Sequence, residues 1–122
     1  MSKGIILIVE DDDIIAKVED WRLKNLGYEV CGRAITGAEA MEMAAKHKPD
    51  VVLMDINIKG DIDGIETAKM IKKAYNIPVI YVTSHSDGQT LERARDTNPD
   101  GFVVKPFDDD DLRVAISLVL KK

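Results

Sequence analysis

The sequence predicts an α/β fold, a five-stranded parallel sheet with helices on both faces. Three observations predict it. Five short apolar runs alternate with five stretches of helical periodicity. The run Val51-Val52-Leu53-Met54 is continuously apolar, as in a strand buried on both faces. A helix-length segment separates each run from the next, which implies right-handed βαβ crossovers.

Residues 4–9 open the chain as a β-branched buried strand that ends in Glu10-Asp11-Asp12-Asp13. Ile14, Ile15, Val18, Trp21 and Leu26 then fall on one helical face, and Gly27 stops the helix. Asp12 and Asp13 read as caps of that helix rather than metal ligands. Residues 28–34 form a second strand, interrupted at Gly32. Thr36 and Glu39 make a capping box for a helix whose apolar face is Ala40, Met41, Ala44 and Ala45. The Val51 strand follows Pro49-Asp50. A loop, residues 58–62, leads through Asp63-Gly64 into a third helix facing inward with Ile65, Ala68, Ile71, the stem of Lys72 and Tyr75. Residues 78–82 are the fourth strand, with Thr83-Ser84 directly after. Residues 87–98 read as a helix anchored only by Leu91 and Ala94, and therefore loosely held. Pro99-Asp100-Gly101 turns into a short fifth strand, Phe102-Val103-Val104, which ends at Lys105-Pro106-Phe107. The last helix starts at Asp108 to Asp111 and buries Leu112, Ala115, Ile116 and Val119; Lys121 and Lys122 suit its negative end. The four aspartates lack the alternating ligand spacing of an EF-hand and read as a capped, solvated helix start.

Length and composition bound the function. A chain of 122 residues, 45% hydrophobic and 32% charged, suits one compact domain. No apolar run approaches the roughly 18–20 residues of a membrane span, and the N-terminus carries neither a secretory nor a transit pattern. One domain over residues 1–122 is expected, without an output domain. Cys31 is the single cysteine; it reads as a small core residue and fits a reducing cytoplasm. A net charge of −5 without a Lys/Arg stripe argues against direct nucleic-acid binding. His47 reads as a surface residue and Trp21 as core or semi-exposed packing.

The chemistry gathers where the strands end. Parallel strands present their carboxyl ends on one edge, where open α/β sheets bind ligands. Glu10, Asp11 and Asp12 follow the first strand, Asp55 the third, Thr83 the fourth and Lys105 the fifth. Clustered carboxylates need a counter-charge, and a hard divalent cation, Mg²⁺ or Mn²⁺, is the natural one. Lys105 can hold a phosphate as a point charge, and Thr83 can donate a hydrogen bond to it. A carboxylate is itself a nucleophile that can form an aspartyl phosphate.

These residues resemble the receiver domain of two-component response regulators, across essentially the whole chain. The resemblance rests on Glu10-Asp11-Asp12 after Ile-Val, Leu-Met-Asp55, Asp63-Gly64, Val82-Thr83-Ser84 and Val104-Lys105-Pro106-Phe107. It implies a flavodoxin-like doubly wound sheet of order 2-1-3-4-5. It implies Asp55 as phosphoacceptor, and Glu10, Asp11 and Asp55 with the backbone carbonyl of Asn57 around Mg²⁺. Thr83 would be the switch hydroxyl, Lys105 the phosphate contact and Phe102 the aromatic switch. The Lys105-Pro106 bond would be cis. A sensor histidine kinase or phosphotransfer protein would supply the phosphoryl group and a downstream protein would read it. The signal would appear on the face of the fourth helix, fifth strand and fifth helix, and autodephosphorylation would end it. The implied state is a monomer or a phosphorylation-linked homodimer, off the membrane.

The chain departs from that pattern in two places: Lys59 stands where a proline is common, and the spacing from Asp55 to Gly64 is one residue longer than usual. His85 with Asn57 occupies the positions that tune acyl-phosphate lifetime in the family, which implies a lifetime particular to this chain. Three other readings compete. An aspartate-nucleophile phosphatase would need a second acid where Asn57 stands. A flavin or dinucleotide module would need a Gly-x-Gly-x-x-Gly turn. A scaffold that binds partners without phosphorylation would not need the intact acids, hydroxyl and lysine.

Overall fold

The computed structural model describes residues 3–58, 60–83, 88–97 and 99–120. The elements in chain order are β1 (Ile5–Val9), α1 (Asp13–Asn25), β2 (Glu29–Ala34), α2 (Gly37–His47), β3 (Val51–Asp55), α3 (Gly64–Tyr75), β4 (Val79–Thr83), α4 (Gly88–Asp96), β5 (Gly101–Val104) and α5 (Asp109–Leu120). All strand pairs are parallel, in the order β2-β1-β3-β4-β5. The expected doubly wound sheet is therefore the observed one. The ends of the fourth helix as read from sequence, Asp87 and Asn98, lie outside the described residues.

Strand periodicity divides the core into two layers. Leu7, Val9, Val52, Met54, Val79 and Tyr81 face α2, α3 and α4 through Ala40, Ala44, Ile65, Ala68, Ile71 and Ala94. Ile6, Ile8, Val51, Leu53, Ile80, Val82 and Val103 face α1 and α5 through Ala16, Leu23, Leu112 and Ile116. Neighbours in sequence point to opposite layers, which is why a strand covered on both faces reads as a continuous apolar run.

The caps form where the sequence places them. Asp12 Oδ1 accepts from the backbone N–H groups of Ile14 and Ile15 at 2.9 and 3.1 Å. Thr36 Oγ1 accepts from Glu39 N–H at 3.2 Å, and Asp63 Oδ1 from Glu66 N–H at 3.0 Å. Asp108 and Asp111 cap each other's backbone N–H at the start of α5, as a solvated helix start requires.

The face of α1 differs from the sequence reading. Ile14, Val18 and Trp21 are exposed, Trp21 to 63%, whereas the buried stripe is Ala16, Glu19 and Leu23 on the opposite side. Small Ala16 lets the helix close on the sheet, and Leu23 fills the layer. Smaller differences follow the same logic. Ala45 and Tyr75 point outward, so α2 and α3 contact the sheet through narrower stripes than expected. Cys31 is half-buried, because the register of β2 against β1 advances by one residue there, from Ile6–Val30 to Leu7–Gly32. His47 is on the surface.

Candidate functional site

Register sets the site. Val9 pairs with Met54, and Asp55 pairs with Val82, so the first residue past β1 and the last of β3 reach the same edge. Glu10 is tied down by its N–H, which donates to the Ala34 carbonyl at 3.0 Å. Its side chain is 2% exposed. Glu10, Asp11 and Asp55 each offer a carboxylate oxygen within 4.8 Å of the others. Asp55 is buried, and its Oδ1 accepts from the backbone N–H of Asn57 at 3.2 Å.

Lys105 reaches the cluster from β5. Its backbone N–H donates to the Thr83 carbonyl at 2.7 Å, which fixes the end of β5 beside that of β4. Its ammonium lies 3.3 Å from Glu10 Oε1 and 4.0 Å from Asp55 Oδ2. The following Lys105-Pro106 bond is cis, as expected. The loop after it is held by Arg22, whose Nη1 donates to the Phe107 carbonyl at 2.8 Å and whose guanidinium lies 5.4 Å from the Phe107 ring centroid. Thr83 is buried at the end of β4, one residue beyond the partner of Asp55.

The cluster is electrostatically strained. Burial pushes the Glu10 carboxyl up to about 7, and the adjacent Asp55 carboxylate pushes in the same direction. The Asp12 N–H, which Glu10 Oε2 accepts at 3.2 Å, and the Lys105 charge act the other way. Lys105 alone does not offset three carboxylates. An all-oxygen donor set of this charge fits a hard cation such as Mg²⁺, and bound charge there would relieve the repulsion around Glu10.

Gly64 shapes the acceptor end of β3. Its N–H donates to the Ile56 carbonyl at 2.9 Å, and a Cβ at this position would collide with the Asp55 carbonyl oxygen and the Ile56 Cα. Only glycine lets the start of α3 pass so close to the backbone that carries Asp55.

Phe102 is half-buried on β5 and packs on Tyr81, ring centroids 5.7 Å apart. The Tyr81 hydroxyl pairs with Thr97 Oγ1 at 2.9 Å, just past the end of α4. Asn57 is exposed beside Asp55. Ser84, His85 and Lys59 lie outside the described residues.

Two polar residues near the site escape sequence reasoning. Glu19 is buried on α1, and Arg33 on β2 donates through Nε to the Glu10 carbonyl at 2.8 Å. The signal for Glu19 was the Ala16–Leu23 spacing, one helical face with a carboxylate at its centre. For Arg33 it was a cation on the strand next to the acidic one.

Comparison with known proteins agrees with this geometry. The family model of the response regulator receiver domain matches residues 6–117. The transcriptional regulatory protein PdtaR of Mycobacterium tuberculosis is 38% identical over 117 residues, covering 96% of this chain and 57% of that protein. The DNA-binding transcriptional regulator NtrC of Escherichia coli is 37% identical over 120 residues, 98% of this chain and 24% of that protein. The chain thus spans little more than half the length of PdtaR and about a quarter of NtrC. Among solved structures, the signal receiver domain of a modulated diguanylate cyclase from Desulfovibrio desulfuricans superposes with a TM-score of 0.90 at 38% identity, covering 96% of this chain and 93% of that one. A LuxR-family two-component response regulator from Aurantimonas gives 0.87 at 26% identity, covering 98% and 86%. Among the described residues, no helix is long and apolar enough to cross a membrane. The chain belongs to the response regulator receiver domain family of two-component systems.

Proposed function

We propose that this chain is a phosphorylation-dependent switch that accepts a phosphoryl group on Asp55 from a phosphohistidine donor. The observation that carries the reading is the Lys105 ammonium poised between Glu10 and Asp55, 3.3 and 4.0 Å away, at a three-carboxylate cluster of which Glu10 and Asp55 are buried and Asp11 half-buried. In the transfer, an Asp55 carboxylate oxygen forms the new bond to phosphorus as the phosphorus–nitrogen bond of the donor breaks. The donor imidazole leaves with the electron pair and takes up a proton. Glu10, Asp11, Asp55 and the Asn57 carbonyl would hold Mg²⁺ or Mn²⁺, which supplies positive charge for the phosphoryl oxygens when bound. Lys105 then leaves Glu10 for a phosphoryl oxygen, and the Thr83 hydroxyl donates to another. Attack by water on the same phosphorus breaks its bond to the Asp55 oxygen, releases inorganic phosphate and restores the Asp55 carboxylate.

The switch follows from what the site touches. Thr83 drawn toward the phosphoryl group frees space on β4, and Phe102 repacks against Tyr81. Tyr81 is anchored through Thr97 to the end of α4, a helix whose described buried apolar contact is Ala94. An element so lightly anchored shifts at small cost. The downstream protein reads the altered α4-β5-α5 face. The donor docks next to that face, on α1, where Ile14, Val18 and Trp21 form an exposed apolar row and Ile14 and Val18 share a cavity with Lys105, Pro106 and Phe107.

Beryllofluoride, which mimics an aspartyl phosphate, tests the switch by amide NMR. Shift changes at Asp55, Thr83 and Lys105 that extend through Phe102 to Thr97 are expected. Changes confined to the loops around Asp55 would contradict it.

A further inference from the structure

We propose that Arg33 is a positioning residue for the divalent-cation site, clamping the acidic loop between β1 and α1 from the adjacent strand. This rests on the reading of Glu10, Asp11 and Asp55 as a cation site. Arg33 pairs with Ile8 in the β1–β2 register, and Ala34 with Val9, so Arg33 stands near the carboxyl edge of the sheet. Its Nε donates to the Glu10 carbonyl at 2.8 Å, and its Nη1 bonds Asp13 Oδ1. Glu10 is therefore held through both main-chain polar groups, its N–H by Ala34 and its carbonyl by Arg33. That carbonyl belongs to the peptide unit joining Glu10 to Asp11. Fixing its orientation fixes the link between two of the three carboxylates. The bond to Asp13 extends the hold to the first turn of α1.

The bonding of the guanidinium points to geometry rather than charge as its contribution. Among the described residues the third guanidinium nitrogen, Nη2, is buried with no hydrogen-bond partner, so the fork is held by its Nε and Nη1 bonds. The sign of the charge separates positioning from electrostatics. A cation beside a cation site weakens metal binding by Coulomb repulsion alone. Arg33 helps that site only if its geometry outweighs its charge. Lysine cannot reproduce it, because a point charge on a flexible stem lacks the rigid fork that spans a carbonyl and a carboxylate.

The opposed signs make the test decisive. Mg²⁺ is titrated into the wild-type chain, Arg33→Met and Arg33→Lys by calorimetry, with amide spectra confirming that each is folded. Positioning predicts affinity lower by about tenfold in Arg33→Met, the range for loss of a residue that orients metal ligands. It predicts a loss of at least a few-fold in Arg33→Lys, which keeps the charge and is the variant to read if the methionine form does not fold. Equal or tighter binding by Arg33→Met, or wild-type affinity in Arg33→Lys, overturns the clamp while leaving the cation site standing. Failure of the wild-type chain to bind Mg²⁺ overturns the cation-site reading and the clamp with it.

Discussion

Glu19→Gln should flatten part of the protein's loss of stability at rising pH. Glu19 is 2% exposed on the buried face of α1. It lines a cavity of about 260 Å³ between that helix and the Lys105–Phe107 loop. Burial pushes its carboxyl from 4.5 up to about 8, the negative charges of Glu10 and Asp55 push the same way, and Lys105 opposes them. Between those two values the folded chain keeps a proton that the unfolded chain has released. Stability therefore falls as pH rises through this window, and the loss is complete above the folded value. A tenfold difference in proton affinity between the two states is worth about 1.4 kcal/mol. From about pH 5 to about pH 8 the loss therefore reaches roughly 3 kcal/mol, or on the order of 10 °C in Tm for a chain of this size. Glutamine keeps the shape and removes the titration. Urea unfolding followed by circular dichroism, in chelator and across this window, reads the difference between variant and wild type. That difference should grow by roughly 3 kcal/mol toward high pH. Parallel curves would refute the argument, whatever the absolute cost of the substitution.

Two further outcomes are expected. Gly64→Ala forces a methyl group against the Asp55 carbonyl and should cost about 1–3 kcal/mol; an unchanged urea midpoint would show that the backbone yields freely. Trp21→Ser removes an exposed side chain and should leave stability within about 0.5 kcal/mol, while slowing phosphotransfer from a histidine donor several-fold and sparing transfer from acetyl phosphate. Equal slowing with both donors would place its effect in the fold or the site rather than in docking.

The sheet was legible because each strand carries its own signal. Val51 to Met54 is apolar throughout since consecutive residues serve two different layers. The meeting of Glu10, Asp11, Asp55 and Lys105 was legible for a topological reason, as parallel strands deliver their ends to one edge. The phase of α1 was not. Ile14, Val18 and Trp21 repeat with the same helical period as Ala16, Glu19 and Leu23, and hydrophobicity favours the wrong stripe. Alanine gives almost no signal, and a buried carboxyl gives the opposite one. Arg33 was hidden similarly, since a charge on a strand reads as solvent exposure until its carbonyl partner, 23 residues earlier, is seen. Gly64 was legible as a helix start, but its reason, the Asp55 backbone passing beneath it, is a tertiary contact.

Intact mass after incubation with acetyl phosphate, with and without Mg²⁺, tests the central claim most directly, on the wild-type chain and on Asp55→Asn. The account predicts a Mg²⁺-dependent gain of one phosphoryl group that hydroxylamine removes and that Asp55→Asn does not acquire. A gain of the same mass by Asp55→Asn would contradict it, and so would no gain with acetyl phosphate together with no binding of beryllofluoride.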